Sequence, residues 1–367
     1  PKDRAKAIGA WSGLGGIAGA VGPFLGGWLI QVASWRLVFL INAPLAVIVC
    51  LVALKHVPES RDVNASKRLD VAGVVTGALG LAGLTYGFTS WADVGPASPL
   101  VWGSLLVGVA SMVGFVLVEQ RSKFPMLPME IFRSRAFTAA NLVTFAMYSA
   151  LGGVLFLVVL NLQVVAGFGP MAAGTALLPL TVLALLLSAR AGALAQRIGP
   201  RIPMTVGPLL AAGALVWFRG IGADASYWTD VLPAVILLGL GLSSAVAPLT
   251  ATALGSVEDR HAGVASGVNN AVARASTLLA VAILPLAAGL GSGSLTNPVD
   301  LGPVYRTAML IAASILVVGA VISVVAIPKK IVRPTVNVAH CAVSGPPMGA
   351  TPAGPASSSS SSSVDSC

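Results

Sequence analysis

GAVGPFLGGWLI, residues 19–30, is apolar from end to end, yet it sets a proline beside a glycine and follows them with a glycine pair. A helix in water resists both, because proline removes a backbone hydrogen bond and glycine costs about 1 kcal/mol relative to alanine. Between other helices in a bilayer the same residues are useful, since they let backbones approach closely. Eight of the nineteen residues from Gly9 to Gly27 are glycine. At 100° per residue, Gly15, Gly19, Gly22 and Gly26 form one smooth stripe. Gly9, Gly13, Gly16, Pro23 and Gly27 form a second stripe beside it. Pro23 pushes against the preceding turn and kinks the helix. The segment therefore reads as a close-packed, bent span able to act as hinge or seal. Simple glycine-mediated packing would leave the same pattern.

The rest of the chain fits that environment. Of 367 residues, 56% are hydrophobic and 10% charged, and the mean hydropathy is +0.89. Soluble domains carry roughly 25% charged residues, and a span needs about 20 apolar ones. The fold class expected is an all-α polytopic membrane protein. Ten candidate spans lie near 8–31, 37–55, 70–90, 101–119, 137–162, 171–190, 202–220, 230–254, 262–287 and 305–327. They leave no room for a separate soluble domain.

The net charge of +9 is placed by topology. If loops alternate, 18 of the 22 Lys and Arg fall on one side, three on the other (Arg36, Arg219 and Arg306), and Arg274 lies within a span. That asymmetry predicts a cytoplasmic basic side and cytoplasmic chain ends. It argues against nucleic acid as a partner. Cys50, Cys341 and Cys367 make no disulfide or zinc pattern, and no cofactor or metal is expected. The opening PKDRAK reads as a cytoplasmic loop, so the expectation is a fragment beginning in mid-protein.

Two long basic loops, 55–70 and 119–137, bracket a helical pair at 70–119 that resembles an inserted hairpin. Asp3-Arg4 opens the first span and Asp259-Arg260 the ninth, a faint internal repeat of the kind many transporters carry, although two residues in register also arise by chance. Residues 334–367 are rich in Pro, Ser, Gly and Ala and predict a disordered tail.

Gly9, Gly22-Pro23 and Gly26-Gly27 resemble the antiporter motif of the major facilitator superfamily, with Ala18 where that motif has a further glycine. SWRLVFLINAPL (34–45), LDVAGVV (69–75), LPMEIFRSRAF (127–137), NLQVVAGFGPMAAGTALLP (161–179) and AGVASGVNNAVARAS (262–276) resemble its fourteen-span EmrB/QacA-type drug:proton antiporters. The resemblance covers about residues 1–328. It implies that the fragment holds spans five to fourteen. Residues 1–55 would be the last two spans of the amino-terminal bundle, and 56–136 an inserted two-span hairpin with its loops. Residues 137–328 would be a six-span carboxyl-terminal bundle, and 329–367 a cytoplasmic tail. It further implies export of lipophilic drugs or natural products, with lipid, a small lipophilic substrate and protons as partners. Gly192, Gln196, Arg197, Gly199 and Arg201 resemble a degenerate cytoplasmic gating loop in which Gln196 replaces an acid. A tight turn with topology-setting arginines reads the same way.

Within the spans, Arg274 lies about 18 Å into its helix at 1.5 Å per residue. An unpaired charge at that depth costs at least about 2.5–3.5 kcal/mol, so it must face protein or water. Asn270 lies one turn before it and Ser266 two. Asn141, Tyr148 and Asn161 punctuate span five, with Gln163 at its outer end. These seven residues are the candidates for a cavity or substrate path, with Tyr148 and Phe156 offering aromatic surface to lipophilic cations. The competing role for the polar groups is helix glue, and for the two aromatics, more often, packing against lipid or a neighbouring helix.

None of the thirteen acids lies deep in a span, and His56, His261 and His340 lie in loops or tail. Proton coupling needs a titrating group at depth, so either it resides in the four missing spans or the protein is not proton-driven. An intramembrane enzyme would need the same absent groups, so no enzymatic activity is expected. A non-transporting truncated protein or scaffold is the alternative.

Overall fold

The computed structural model describes residues 25–26, 28–29, 32, 34–56, 70–122, 125–258, 261–290 and 295–329. Among these residues, nine apolar helical spans are long enough to cross a membrane, and the fold is all-helical. Most of the expected first span lies outside them, including Gly9, Ala18, Gly22, Pro23 and Gly27. Gly26 is described and helical, and nothing lies within 4 Å of the place its β-carbon would take. The Asp3-Arg4 and Asp259-Arg260 pairs and the tail beyond Lys329 also lie outside the described residues.

The helices are α1 (Trp35–Leu40), α2 (Asn42–His56), α3 (Val71–Val94), α4 (Pro99–Arg121), α5 (Arg135–Val164), α6 (Pro170–Thr175), α7 (Leu178–Ile198), α8 (Arg201–Phe218), α9 (Leu232–Gly255), α10 (Ala262–Ala287) and α11 (Pro298–Ala326). Several begin on side-chain caps that satisfy orphan amide groups. Asp70 accepts from the Gly73 N–H at 2.8 Å, Ser134 from Phe137 at 3.3 Å, and Asn297 from Val299 at 3.1 Å. A π-helical turn, Tyr227–Val231, precedes α9, and Asp230 there accepts the Ser226 N–H at 2.7 Å. Asp70, Asp230 and Asp300 thus all sit at helix starts, where a negative charge meets the positive end of the helix dipole.

Glu119 is the exception. It stands near the end of α4 yet is only 2% exposed. The following segment folds back, and the Leu127 N–H donates to its Oε2 at 3.0 Å. An edge position by sequence is therefore an interior one in three dimensions.

α3 and α4 form a tight antiparallel hairpin. Gly95 turns the chain at φ +78°, a value that favours glycine. The rings of Trp91 and Trp102 then meet at 5.7 Å, and the Trp102 indole N–H donates to the Pro96 carbonyl at 2.8 Å. Midway along, a β-carbon on Gly83 would lie 2.8 Å from the Gly108 Cα, so the two backbones touch. The hairpin's further contact is with α10.

α5 is the central helix of the larger bundle. It packs against α9, α10 and α11, while α8 packs against α9 and α11, and α7 against α9. Its buried residues surround it in the first half and follow an i, i+3, i+4 stripe later: Val154, Leu157, Val158, Asn161 and Leu162. By contrast, no residue of α2 is buried. α11 turns a broad apolar face outward through Val317, Val318, Val321, Val324 and Val325, a surface suited to lipid.

The Gly83–Gly108 crossing can be tested directly. Gly83→Ala is expected to lower the melting temperature of the purified protein in detergent, with overpacking costing about 1–3 kcal/mol. Gly103→Ala on the same hairpin, where nothing lies within 4 Å, should leave it unchanged.

Candidate functional site

α5 and α10 cross closely because Gly152 offers no side chain. A β-carbon there would stand 2.7 Å from Thr277 Cγ2 and 2.9 Å from its Cα. The approach lets the Thr277 hydroxyl lie 3.4 Å from the Tyr148 carbonyl and 3.0 Å from that of Ala273. Farther toward the start of both helices, Asn269 Nδ2 donates to Thr144 Oγ1 at 2.8 Å and to Asn141 Oδ1 at 3.3 Å. Asn141 in turn donates to the Phe137 carbonyl at 3.0 Å. Residue numbers rise together along this seam, so α5 and α10 run in the same direction. Alternating spans require that relation for two spans separated by three others.

The seam divides α10 into two faces. Ala265, Asn269, Ala273 and Ser276 are buried against the bundle. Ser266, Asn270 and Arg274 form the exposed face at four-residue intervals, with Gly263, Gly267 and Ala271 between them and Leu278 one turn beyond. This face differs in kind from the valine-rich outer face of α11. It presents small residues, an amide, a hydroxyl and a guanidinium at mid-span. Among the described residues, no carboxylate forms an ion pair with Arg274.

Asn141 and Asn161 are both buried. Asn161 Nδ2 donates to the Ile221 carbonyl at 3.2 Å, tying the outer end of α5 to the turn after α8. Gln163 is half-buried at the same end, and Tyr148 is half-buried at mid-helix. Tyr305 makes a parallel tie, with its hydroxyl donating to the Phe218 carbonyl at 2.9 Å while the side chain is 1% exposed.

The α7–α8 turn holds the gating-loop candidates. Gln196 and Arg197 are exposed, Gly192 is half-buried and Gly199 is buried at φ +88°. A side chain on Gly199 would overlap the Lys329 carbonyl. Arg201 reaches the same segment, its Nε donating to the Ile327 carbonyl at 2.6 Å. The turn is thus held by the chain just after α11, through a hydrogen bond to backbone. Gln196 plays no visible part in that contact.

Residues 1–281 match the description of the Major Facilitator Superfamily. The chain belongs to this superfamily. Its members are transporters, and among its relatives are drug-resistance exporters. The tetracenomycin C resistance and export protein of Streptomyces glaucescens is 33% identical over 279 residues, covering 76% of this chain and 52% of the relative. The puromycin resistance protein of Streptomyces alboniger is 34% identical over 288 residues, covering 77% and 57%. The multidrug resistance protein Stp of Mycobacterium tuberculosis is 29% identical over 284 residues, covering 77% and 52%. The chain spans about half the length of these relatives.

In this major facilitator chain the neighbours Asn269 and Asn270 therefore differ in setting, one buried and hydrogen-bonded and the other exposed. Asn269→Ala leaves buried partners on α5 unsatisfied, and should destabilise the purified protein by about 1 kcal/mol, the scale of interhelical polar contacts in membranes. Asn270→Ala should leave the melting temperature unchanged. Thermal unfolding of both variants in the same detergent checks the difference.

Proposed function

We propose that the chain works in secondary active export of lipophilic drugs or natural products, driven by proton antiport through alternating access. The observation that carries this reading is the exposed face of α10. Lipid does not accommodate a bare guanidinium at mid-span, so this face belongs against water or another part of a transport path. Substrate would bind near the midplane between two bundles, in a largely apolar cavity with a few polar groups. Residues 137–328 would supply one bundle, residues 1–55 part of the other, and the hairpin within 56–136 an insertion between them. The names of the relatives, resistance to tetracenomycin C and to puromycin, support drug or natural-product export as the class. The basic loops and chain ends would face the cytoplasm.

On this reading the Gly22–Pro23 hinge and the α7–α8 turn change shape as the two bundles rock. The coupling proton would bind outside the described spans, whose acids lie at helix ends or, for Glu119, bonded to a folded-back loop.

Expression in a bacterial strain stripped of its own exporters should lower accumulation of a hydrophobic dye severalfold. A protonophore should restore accumulation, and Gly22→Leu combined with Pro23→Ala should abolish efflux while membrane expression persists. Extrusion that survives collapse of the proton gradient would rule out proton antiport. Accumulation equal to the vector control would favour a non-transporting membrane protein.

A further inference from the structure

Resting on the export reading above, we propose that Arg274 is the anion-binding subsite of the substrate path, and that the substrates are amphipathic acids, with an apolar ring or chain bearing a carboxylate or acidic hydroxyl. Arg274 is exposed at the middle of a 26-residue span and has no ion-pair partner among the described residues. A guanidinium stays charged at every working pH and presents a planar fork that matches a carboxylate with two parallel hydrogen bonds.

Its surroundings extend the same chemistry. Asn270 stands one turn earlier on the same exposed face and offers amide donors. Ser266, another turn back, offers a hydroxyl. Leu278, one turn beyond Arg274, is 47% exposed and supplies an apolar surface for the body of the ligand.

Asp70, Asp230 and Asp300 stand at helix starts, and Glu119 at the end of α4 has its Oε2 bonded to the Leu127 amide. No Asp, Glu or His occupies the interior of α5, α7, α8, α9, α10 or α11. A ligand cation entering beside α10 would find the Arg274 guanidinium and, in the interior of these helices, no negative charge. A ligand anion would find a charge partner and, through Asn270 and Ser266, hydrogen-bonding groups.

A matched pair of fluorescent probes tests this: anthracene-9-carboxylate and 9-(aminomethyl)anthracene, which share a ring system and differ in the sign of their charge. Equilibrium binding is measured to the purified chain in nanodiscs of zwitterionic lipid. The wild type should bind the carboxylate about tenfold more tightly than the amine, the effect expected of one charge-assisted contact. Arg274→Gln should erase the preference, and Arg274→Lys should keep its direction with a smaller ratio. Equal or tighter binding of the amine by the wild type would overturn the proposal, as would an unchanged preference in a folded Arg274→Gln. The wild-type ratio decides even if that variant fails to fold. Efflux of both probes is followed in cells alongside. A carboxylate preference in binding, with neither probe extruded, would refute the export reading and leave the anion subsite standing.

Discussion

The hydrocarbon interior offers a chain no hydrogen-bonding partner, and that constraint governs nearly every feature of this structure. Backbone groups are satisfied within helices. The hydroxyls buried among those helices turn back onto carbonyls of their own preceding turn: Thr144 to Ala140 at 2.9 Å, Ser243 to Gly239 at 2.6 Å, Thr252 to Pro248 at 2.7 Å and Ser323 to Gly319 at 3.0 Å. Polar side chains that instead cross between helices are few and tie specific places, as Asn269 ties α10 to α5 and Tyr305 ties α11 to the end of α8. Against that background the guanidinium of Arg274 stands apart, because among the described residues it makes neither kind of contact.

The same medium removes the hydrophobic drive between helices, leaving contact and shape to hold them. Small residues therefore mark the closest crossings. Gly83 meets Gly108 within the hairpin, and Gly152 meets Thr277 where α5 crosses α10. At the basic side, close contact serves a different purpose: Gly199 and Arg201 accept the chain segment after α11 against the turn between α7 and α8.

Fold class was legible in composition alone, because a chain that is 10% charged and carries long apolar runs has one physical home. Helical periodicity put Ser266, Asn270 and Arg274 on one face of α10, and all three are exposed there. It did not separate Asn269, the buried neighbour, from Asn270. A signal was present in the small-residue stripe Ala265, Asn269, Ala273, since such stripes mark packing faces. The roles of Asn141 and Asn161 were not readable. Their partners, Asn269 and Ile221, lie 128 and 60 residues away, and nothing local announces which polar group meets which. The burial of Glu119 was hidden for the same reason, as it depends on a loop folding back eight residues later. The hold on Gly199 comes from Lys329, far along the chain.

The central claim is that the exposed face of α10 borders a water-accessible transport path, while the exposed face of α11 borders lipid. Substituted-cysteine labelling tests it most directly. With Cys50, Cys341 and Cys367 replaced, single cysteines at positions 270 and 317 would be treated in membranes with a charged, membrane-impermeant maleimide. The account predicts rapid labelling at 270, slowed by bound substrate, and none at 317. Labelling at 270 as slow as at 317 would contradict it, since the Arg274 face would then be sealed from water.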